Sequence, residues 1–279
     1  MRCTKARRRA ATAVLAIATV ATALAACSTS GSTRTTGSAA PTSTTEPARQ
    51  LEVVVTNDDG YRAEGIDAIV RTLTRIPGTK VIVVAPEGQN SGAGAKVTTG
   101  PLVTVDGKTL SGYAAHAVKG TPADTIRAAF DDLKLRPDLV VSGINQGQNL
   151  GPAVDLSGTV GAARAAVARH VPAIAVSAGL GSPVDYTTPA TLVGDWIRQH
   201  RAGLLDGRAA IEIVSFNSPT CPTGEVRGLR QVPADLDRAH LAASIQPPDC
   251  TSTLTDLPND VVAFHNGFST ESVLSPVPG

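Results

Sequence analysis

The sequence predicts an α/β fold, in which helices cover both faces of a mainly parallel β-sheet. Four continuous apolar or β-branched segments have the length of strands, at 52–56, 81–85, 139–142 and 173–177. Helical patterns lie between successive segments. Strands that are apolar throughout are typical of a sheet with both faces buried, because a solvated face would show alternating polar residues. The chain therefore predicts a parallel sheet whose strands are connected by helices.

The first half of the predicted fold begins with the strand at 52–56. After it, apolar residues recur with helical spacing over 65–76. A glycine-rich loop spans 87–100 after the second strand. Thr121 and Pro122 are typical of a helix cap and of the first helical position.

The second half continues the alternation and then changes character. A helix with a hydroxyl cap is predicted over 157–170, a further helix over 190–205 and a strand over 211–216. The residues after 216 are rich in proline and predict a smaller β-containing extension. Roughly 230 residues follow position 50, which is enough for one α/β domain with a substantial core.

The first 26 residues have the pattern of an export signal. Five of the first nine residues are basic, and 10–26 is apolar or small apart from its threonines. A basic start, an apolar middle and a small-residue cleavage site are typical of a signal peptide. A retained membrane anchor is the alternative, although the apolar run is short for a span of about 20 residues.

Residues 24–27, Leu-Ala-Ala-Cys, resemble a bacterial lipobox, in which cleavage precedes the cysteine and its thiol receives a lipid. This predicts a mature chain that starts at lipidated Cys27 and is anchored on the outer face of the cytoplasmic membrane, in the cell envelope. An ordinary secretory signal with an incidental cysteine is the other interpretation. Residues 27–50 are dominated by small and polar side chains and predict a disordered tether, so the folded domain would span 51–279.

The charge balance and the cysteines narrow the function classes. The chain has 25 Lys and Arg against 24 Asp and Glu, but five of the basic residues precede the proposed cleavage site. The remaining acidic excess disfavours a nucleic-acid-binding protein, which is usually basic. With Cys3 removed and Cys27 lipidated, only Cys221 and Cys250 remain. Two cysteines in an exported domain predict one disulfide.

Polar residues follow the predicted strands at their carboxyl ends, where open parallel sheets bind ligands. Asn57, Asp58 and Asp59 follow the first strand. Adjacent carboxylates without a counter-charge repel each other, and a divalent cation relieves that repulsion. Mg²⁺ and Mn²⁺ prefer oxygen ligands of this kind. The sequence therefore predicts a metal site here, although Asn-Asp-Asp-Gly is also ordinary turn composition.

Neutral oxygens and a helix start lie on neighbouring loops. Ser91 and Asn145 could complete the coordination of a cation, or they are simply loop residues. Ser157, Gly158 and Thr159 begin a helix, where free backbone N–H groups and the helix dipole favour an anion such as phosphate. Simple capping by Ser157 is the other interpretation. The sequence contains no serine-hydrolase elbow, Walker loop or dinucleotide-binding glycine motif after the first strand.

Five motifs, taken in order, resemble the SurE family of survival-protein nucleotidases. They are Val-Thr-Asn-Asp-Asp-Gly at 55–60, Asn-Ser-Gly-Ala-Gly at 90–94, Lys-Gly-Thr-Pro-Ala-Asp at 119–124, Pro-Asp-Leu-Val-Val-Ser-Gly-Ile-Asn at 137–145 and Ser-Gly-Thr-Val-Gly-Ala-Ala at 157–163. The similarity covers 51 to about 180 and continues faintly toward the C-terminus.

The resemblance implies a Rossmann-like three-layer α/β/α sandwich, with a C-terminal β-rich extension that exchanges between subunits of a homodimer or homotetramer. It implies metal-dependent hydrolysis of a small phosphomonoester, a nucleoside 5′- or 3′-monophosphate. By position, the metal ligands would be Asp58, Asp59, Ser91 and Asn145, and the phosphate site would be lined by Asn57, Gly143, Ser157, Gly158 and Thr159. Water would attack directly, and an oxygen of Asp58 or Asp59 would accept its proton.

The chain also departs from the family pattern. The family commonly has a polar side chain near position 95, where this chain has Ala95 followed by Lys96. Lys96 either binds a substrate phosphate or merely covers the loop. The tail at 268–273 is a loose version of the family ending, which weakens the expectation of subunit exchange. A lipid-tethered protein that captures a phosphate-bearing ligand without hydrolysing it is the competing interpretation.

Overall fold

The computed structural model describes residues 49–279, which form one nine-stranded sheet flanked by helices. The strands are β1 (Leu51–Thr56), β2 (Thr79–Pro86), β3 (Thr104–Lys108), β4 (Ala114–Val118), β5 (Leu139–Gln146), β6 (Ala173–Ala178), β7 (Ile213–Ser218), β8 (Leu229–Gln231) and β9 (Ser269–Leu274). Their spatial order is β3-β4-β2-β1-β5-β6-β7-β9-β8, and all neighbours are parallel except β3–β4 and β7–β9. The predicted α/β fold with a mainly parallel sheet is confirmed.

Helices cover both faces of this sheet. They are α1 (Glu64–Leu73), α2 (Pro122–Arg127), α3 (Gly158–Val167), α4 (Thr187–Leu205), α5 (Leu241–Ser244) and α6 (Asp260–His265). In β1, Val53 and Val55 belong to the apolar core under α1 and α4. Val54 belongs to the core under α2 and α3. Because successive side chains of a strand point to opposite faces, a strand between two helical layers must be apolar throughout.

The sequence did not predict the hairpin of β3 and β4 at one edge of the sheet. The residues of β3, Thr-Val-Asp-Gly-Lys, are exposed or half-buried and contain no apolar run. Its antiparallel pairing with β4, and the parallel pairing of β4 with β2, complete this side of the sheet. At the other edge, the C-terminal extension supplies β9 and β8, which continue the sheet beyond β7.

The structure also shows how the C-terminal extension is fastened. Cys221 and Cys250 form a disulfide with their Cα atoms 5.8 Å apart. Asp260, at the start of α6, accepts hydrogen bonds from the backbone N–H groups of Gly151, Asp235 and Val261 at 2.9, 2.8 and 2.8 Å. The Gly151 contact joins the extension to the turn that precedes α3, and the other contacts hold the extension together.

The predicted signal at 1–26, Cys27 and nearly all of the tether at 27–50 lie outside the described residues and stay predictions. Arg49 is exposed, donates to the carbonyl oxygen of Leu205 and pairs with Asp138, which immediately precedes β5. The chain therefore enters the domain beside the amino-terminal ends of β1 and β5. Within residues 49–279, no helix combines the length and apolar character needed to cross a membrane.

Candidate active site

The strand order changes direction between β1 and β5. The chain passes from β1 to β2 on one side and later returns to place β5 on the other side of β1. Such a switch point opens a crevice at the carboxyl ends of the two strands, where α/β proteins bind ligands. These carboxyl ends carry the candidate residues: 57–59, Asn145 and the start of α3.

Asn57 shapes the turn that follows β1. Its Nδ2 donates to the carbonyl oxygen of Gly60 at 2.9 Å, and its Oδ1 accepts from the Gly60 N–H at 3.2 Å. The side chain is fully buried, so both polar atoms serve the turn. The turn places the two aspartates in different surroundings, Asp58 against α3 and Asp59 against the end of β5.

Asp58 is buried against the first turn of α3. Its Oδ1 accepts a hydrogen bond from the Thr159 hydroxyl at 2.8 Å. A Cβ on Gly158 would lie 2.8 Å from the Asp58 Cβ, so this close approach requires glycine. Burial raises the pKa of Asp58 to about 6, while the Thr159 hydrogen bond opposes the rise and the charge of Asp59 adds to it. The carboxyl group therefore titrates near neutral pH in the protein alone.

Asp59 is half-buried and connects two loops. Its Oδ2 accepts from the backbone N–H of Gln146 at 3.0 Å, and its Oδ1 accepts from Gln89 Nε2 at 2.7 Å. Gln89 Oε1 in turn accepts from the N–H and the hydroxyl of Ser91 at 2.8 and 3.0 Å. One glutamine side chain thus links the predicted ligands Asp59 and Ser91.

Asn145 lies near the end of β5 with one unsatisfied oxygen. Its Nδ2 donates to the carbonyl oxygen of Gly147 at 2.6 Å. Its Oδ1 is buried and has no hydrogen-bond partner among residues 49–279. Gly143 permits the irregular backbone before it, because its φ is +134° and a Cβ would lie 2.2 Å from the carbonyl oxygen of Val176. A buried acceptor without a donor is costly unless a ligand binds it.

The glycine-rich loop packs directly on α3. A Cβ on Gly161 would lie 2.0 Å from the carbonyl oxygen of Gly94, so the loop backbone touches the helix backbone. The Ser157 hydroxyl accepts from the Val160 N–H at 3.1 Å and caps α3. Lys96 is exposed, and its hydrogen bonds within the described part of the chain are those of its backbone.

Two residues near the site were not predicted, Gln89 and Tyr186. Gln89 could have been found as the polar side chain two positions before Ser91. Tyr186 precedes α4, and its Cε1 atom lies 3.1 Å from the position of a Cβ on Gly65. Burial, with the charges of Asp59 and Glu64, raises the pKa of Tyr186 to about 12. No local motif marks this tyrosine, since only the tertiary fold places it beside the site.

The polar groups at this end of the sheet have the donor chemistry of an oxygen-bound divalent-cation site. No three His, Cys, Asp or Glu side chains cluster as metal ligands in the described chain. A cation here would therefore combine the two carboxylates with neutral oxygens and water, as Mg²⁺ and Mn²⁺ do. The unsatisfied Asn145 Oδ1 supports this fit, because it offers a lone pair that no protein group in the described chain uses.

Comparisons with known proteins place the chain among one family of similar proteins. Residues 53–240 match the family model described as "Survival protein SurE". The 5′-nucleotidase SurE of Desulfitobacterium hafniense is 38% identical over 181 residues, which cover 64% of this chain and 69% of the relative. That of Dehalococcoides mccartyi is 32% identical over 241 residues, covering 80% and 88%.

The fold of a solved structure is also similar. The SurE protein from Aquifex aeolicus superimposes with a TM-score of 0.64 over 82% of this chain and 94% of that chain, at 24% identity. This supports the architecture, and the family model together with the Dehalococcoides relative establishes the kinship. The chain belongs to the SurE family.

Proposed function

We propose that this protein is a metal-dependent nucleotidase that hydrolyses nucleoside monophosphates to nucleoside and inorganic phosphate. The observation that carries the proposal is the switch-point crevice, where Asp59 contacts the backbone N–H of Gln146 and the preceding residue, Asn145, has a buried oxygen without a partner in the described chain. Relatives with the name 5′-nucleotidase favour the 5′-phosphate as the substrate, and the 3′-phosphate is tested beside it.

The proposed cation is Mg²⁺ or Mn²⁺, bound by Asp58, Asp59, Ser91 and Asn145 with water. When bound, such a cation supplies positive charge that neutralises the phosphoryl oxygens as the ester bond breaks. The backbone N–H groups at the start of α3, around Gly158 and Thr159, would bind the phosphate. Lys96 is exposed on the adjoining loop and would contribute charge to the same phosphate.

The attacking water must lose a proton, and the carboxylates of Asp58 and Asp59 are the acceptors at this edge. Asp58 Oδ1 already accepts from Thr159, so Oδ2 is the Asp58 atom that would take the proton. Both Asp59 oxygens accept hydrogen bonds, which favours a role in orientation for that residue. Trapping labelled phosphate on either aspartate would replace direct attack with a phosphoenzyme route.

The proposal also covers the cellular location and the oligomeric state of the protein. The N-terminal pattern supports an exported lipoprotein, attached through Cys27 to the outer face of the cytoplasmic membrane. A homodimer or homotetramer is the proposed assembly, on the family resemblance alone. Mass spectrometry of Cys27 and light scattering of the purified protein test these two points separately from catalysis.

The decisive experiment follows phosphate release by the full chain after removal of metal. The substrates are 5′- and 3′-nucleoside monophosphates, with and without added Mg²⁺ or Mn²⁺. We expect metal to restore turnover and Asp59→Asn to lower it by about 100-fold or more. Asp106→Asn is the matched control, because Asp106 lies on β3 with its side chain 95% exposed.

Each outcome has a clear meaning. Full activity of Asp59→Asn, or equal turnover with and without metal, would contradict the proposed metal centre. No turnover with any metal, in a protein shown to be folded, would refute the proposed nucleotidase activity. It would favour a lipoprotein that binds a phosphate-bearing ligand without hydrolysing it.

A further inference from the structure

A second cleft lies between α1 and α4, on one face of the sheet. It has a volume of about 340 Å³. Three arginines line it: Arg71 in the last turn of α1, Arg75 shortly after that helix, and Arg198 in α4. Tyr186 and Thr187, at the start of α4, line the same cleft. We refer to it as the arginine cleft.

The three guanidinium groups keep donors available for a ligand. Arg71 contacts Asp67 through Nε at 3.2 Å, and Arg198 contacts Asp195 through Nη1 at 2.6 Å. Arg75 has no ion pair within residues 49–279. Because each guanidinium carries N–H donors on three nitrogens, most of them are not used by these pairs.

The carboxylate of Asp67 does not cancel the charge of the cleft. Asp67 is only 5% exposed and already accepts from the Thr109 hydroxyl at 2.7 Å and the Ser111 N–H at 2.8 Å. Burial of Asp67 opposes its ionisation, but the hydrogen bonds from Ser111 and Thr109 and the charge of Arg71 hold its pKa below the usual value. Asp67 therefore offsets part of the charge of Arg71, whereas Arg75 has no carboxylate partner among the described residues.

Gly194 of α4 lies next to the guanidinium of Arg198. A Cβ at this position would lie 3.5 Å from Arg198 Nη1 and 3.4 Å from the Thr72 Cγ2 of the neighbouring helix. The guanidinium of Arg198 thus lies back along α4 toward α1. The two helices present their cations to one shared space.

This chemistry suits a phosphorylated anion. Planar guanidinium groups bind pairs of phosphate oxygens, and several of them bind a multiply charged ligand. The Tyr186 hydroxyl stays protonated at neutral pH and can donate a hydrogen bond. We propose that the arginine cleft is a second anion site, which binds a small phosphorylated molecule with at least two negative charges and which adjoins, at Tyr186, the site of Asp58 and Asp59.

The test measures binding of tripolyphosphate to the metal-free full chain by calorimetry. We expect Arg75→Ala and Arg198→Ala each to weaken binding at the arginine cleft about 10-fold, and the double variant to lose this binding event while any binding at the start of α3 remains. Lys108→Ala removes an exposed cation from β3 and should leave binding unchanged. Asp59→Asn should bind at least as tightly as the wild type.

Hydrolysis of a nucleoside monophosphate by the double variant should stay within about twofold of the wild type. Its thermal unfolding should also be unchanged, since all three arginines are exposed. Wild-type binding that survives the double substitution, or no binding at all, would overturn the proposal. Neither result bears on the proposed nucleotidase, because the binding test contains no metal and measures no turnover.

Discussion

Removal of the Cys221–Cys250 disulfide should cost a calculable part of the stability of the domain. The two cysteines are 29 positions apart. Closing a loop of that length lowers the entropy of the unfolded chain, which at 25 °C corresponds to about 3.5 kcal/mol of stabilisation. Cys250 is buried, and Gly224 and Gly267 pack against it. The folded state therefore has little need of the bond to place these segments, and the loss should appear in full.

The measurement is urea unfolding of Cys221→Ala/Cys250→Ala, followed by the fluorescence of the single tryptophan, Trp196. With a slope of about 2–3 kcal/mol per molar urea, the midpoint should fall by about 1–2 M. Reduced wild-type protein is the control and should behave like the double variant. A midpoint shift below about 0.3 M, in a variant whose slope is unchanged, would refute the reasoning.

Three further substitutions test other contacts. Asp67→Asn should lower the free energy of unfolding by about 2 kcal/mol at pH 7. Because the folded-state pKa lies below the ordinary 3.8, this difference should persist above about pH 4 and vanish as the pH falls through the folded-state pKa. Thr159→Val removes the hydrogen bond on Asp58 and should lower kcat/KM about 10-fold without unfolding the protein. Gly161→Ala forces a Cβ to within 2.0 Å of the Gly94 carbonyl oxygen and should cost about 1–3 kcal/mol of stability.

Controls separate these effects from general damage. Gly203→Ala, also inside a helix, places its Cβ 3.7 Å from the nearest atom and should leave stability unchanged or slightly higher. Thr159→Ser keeps the hydroxyl and should restore most of the activity lost in the valine variant. A pH-independent loss in Asp67→Asn would mean that the carboxylate charge plays no part.

The central strands could be predicted because burial on both faces leaves a local signature. In β1 and β5, successive apolar side chains pack against the helices on both faces of the sheet. The strands β3 and β8 carry no such signature, because they lie at the two edges of the sheet and are largely exposed. Their existence depends on pairing with a neighbouring strand, which residue order alone does not reveal.

The residues of the candidate site also differ in how far the sequence predicts their roles. Asp58, Asp59 and Asn145 follow strands that the sequence identifies, so their meeting at one edge follows from the topology. The sequence left open whether Ser157 caps its helix or binds phosphate, and the structure places its hydroxyl on the Val160 N–H. Asn57 was predicted to line the phosphate site, and its side chain binds Gly60 in the turn. The bridge through Gln89 depends on a long-range contact that no local pattern encodes.

The direction of β1 has a consequence for access. The chain enters the domain at Arg49, and β1 carries it across the sheet to the aspartate pair in six residues, about 20 Å. Arg49 and the aspartate pair therefore lie at opposite ends of β1. Any group joined to the chain at Arg49 would therefore be separated from the crevice by the length of β1.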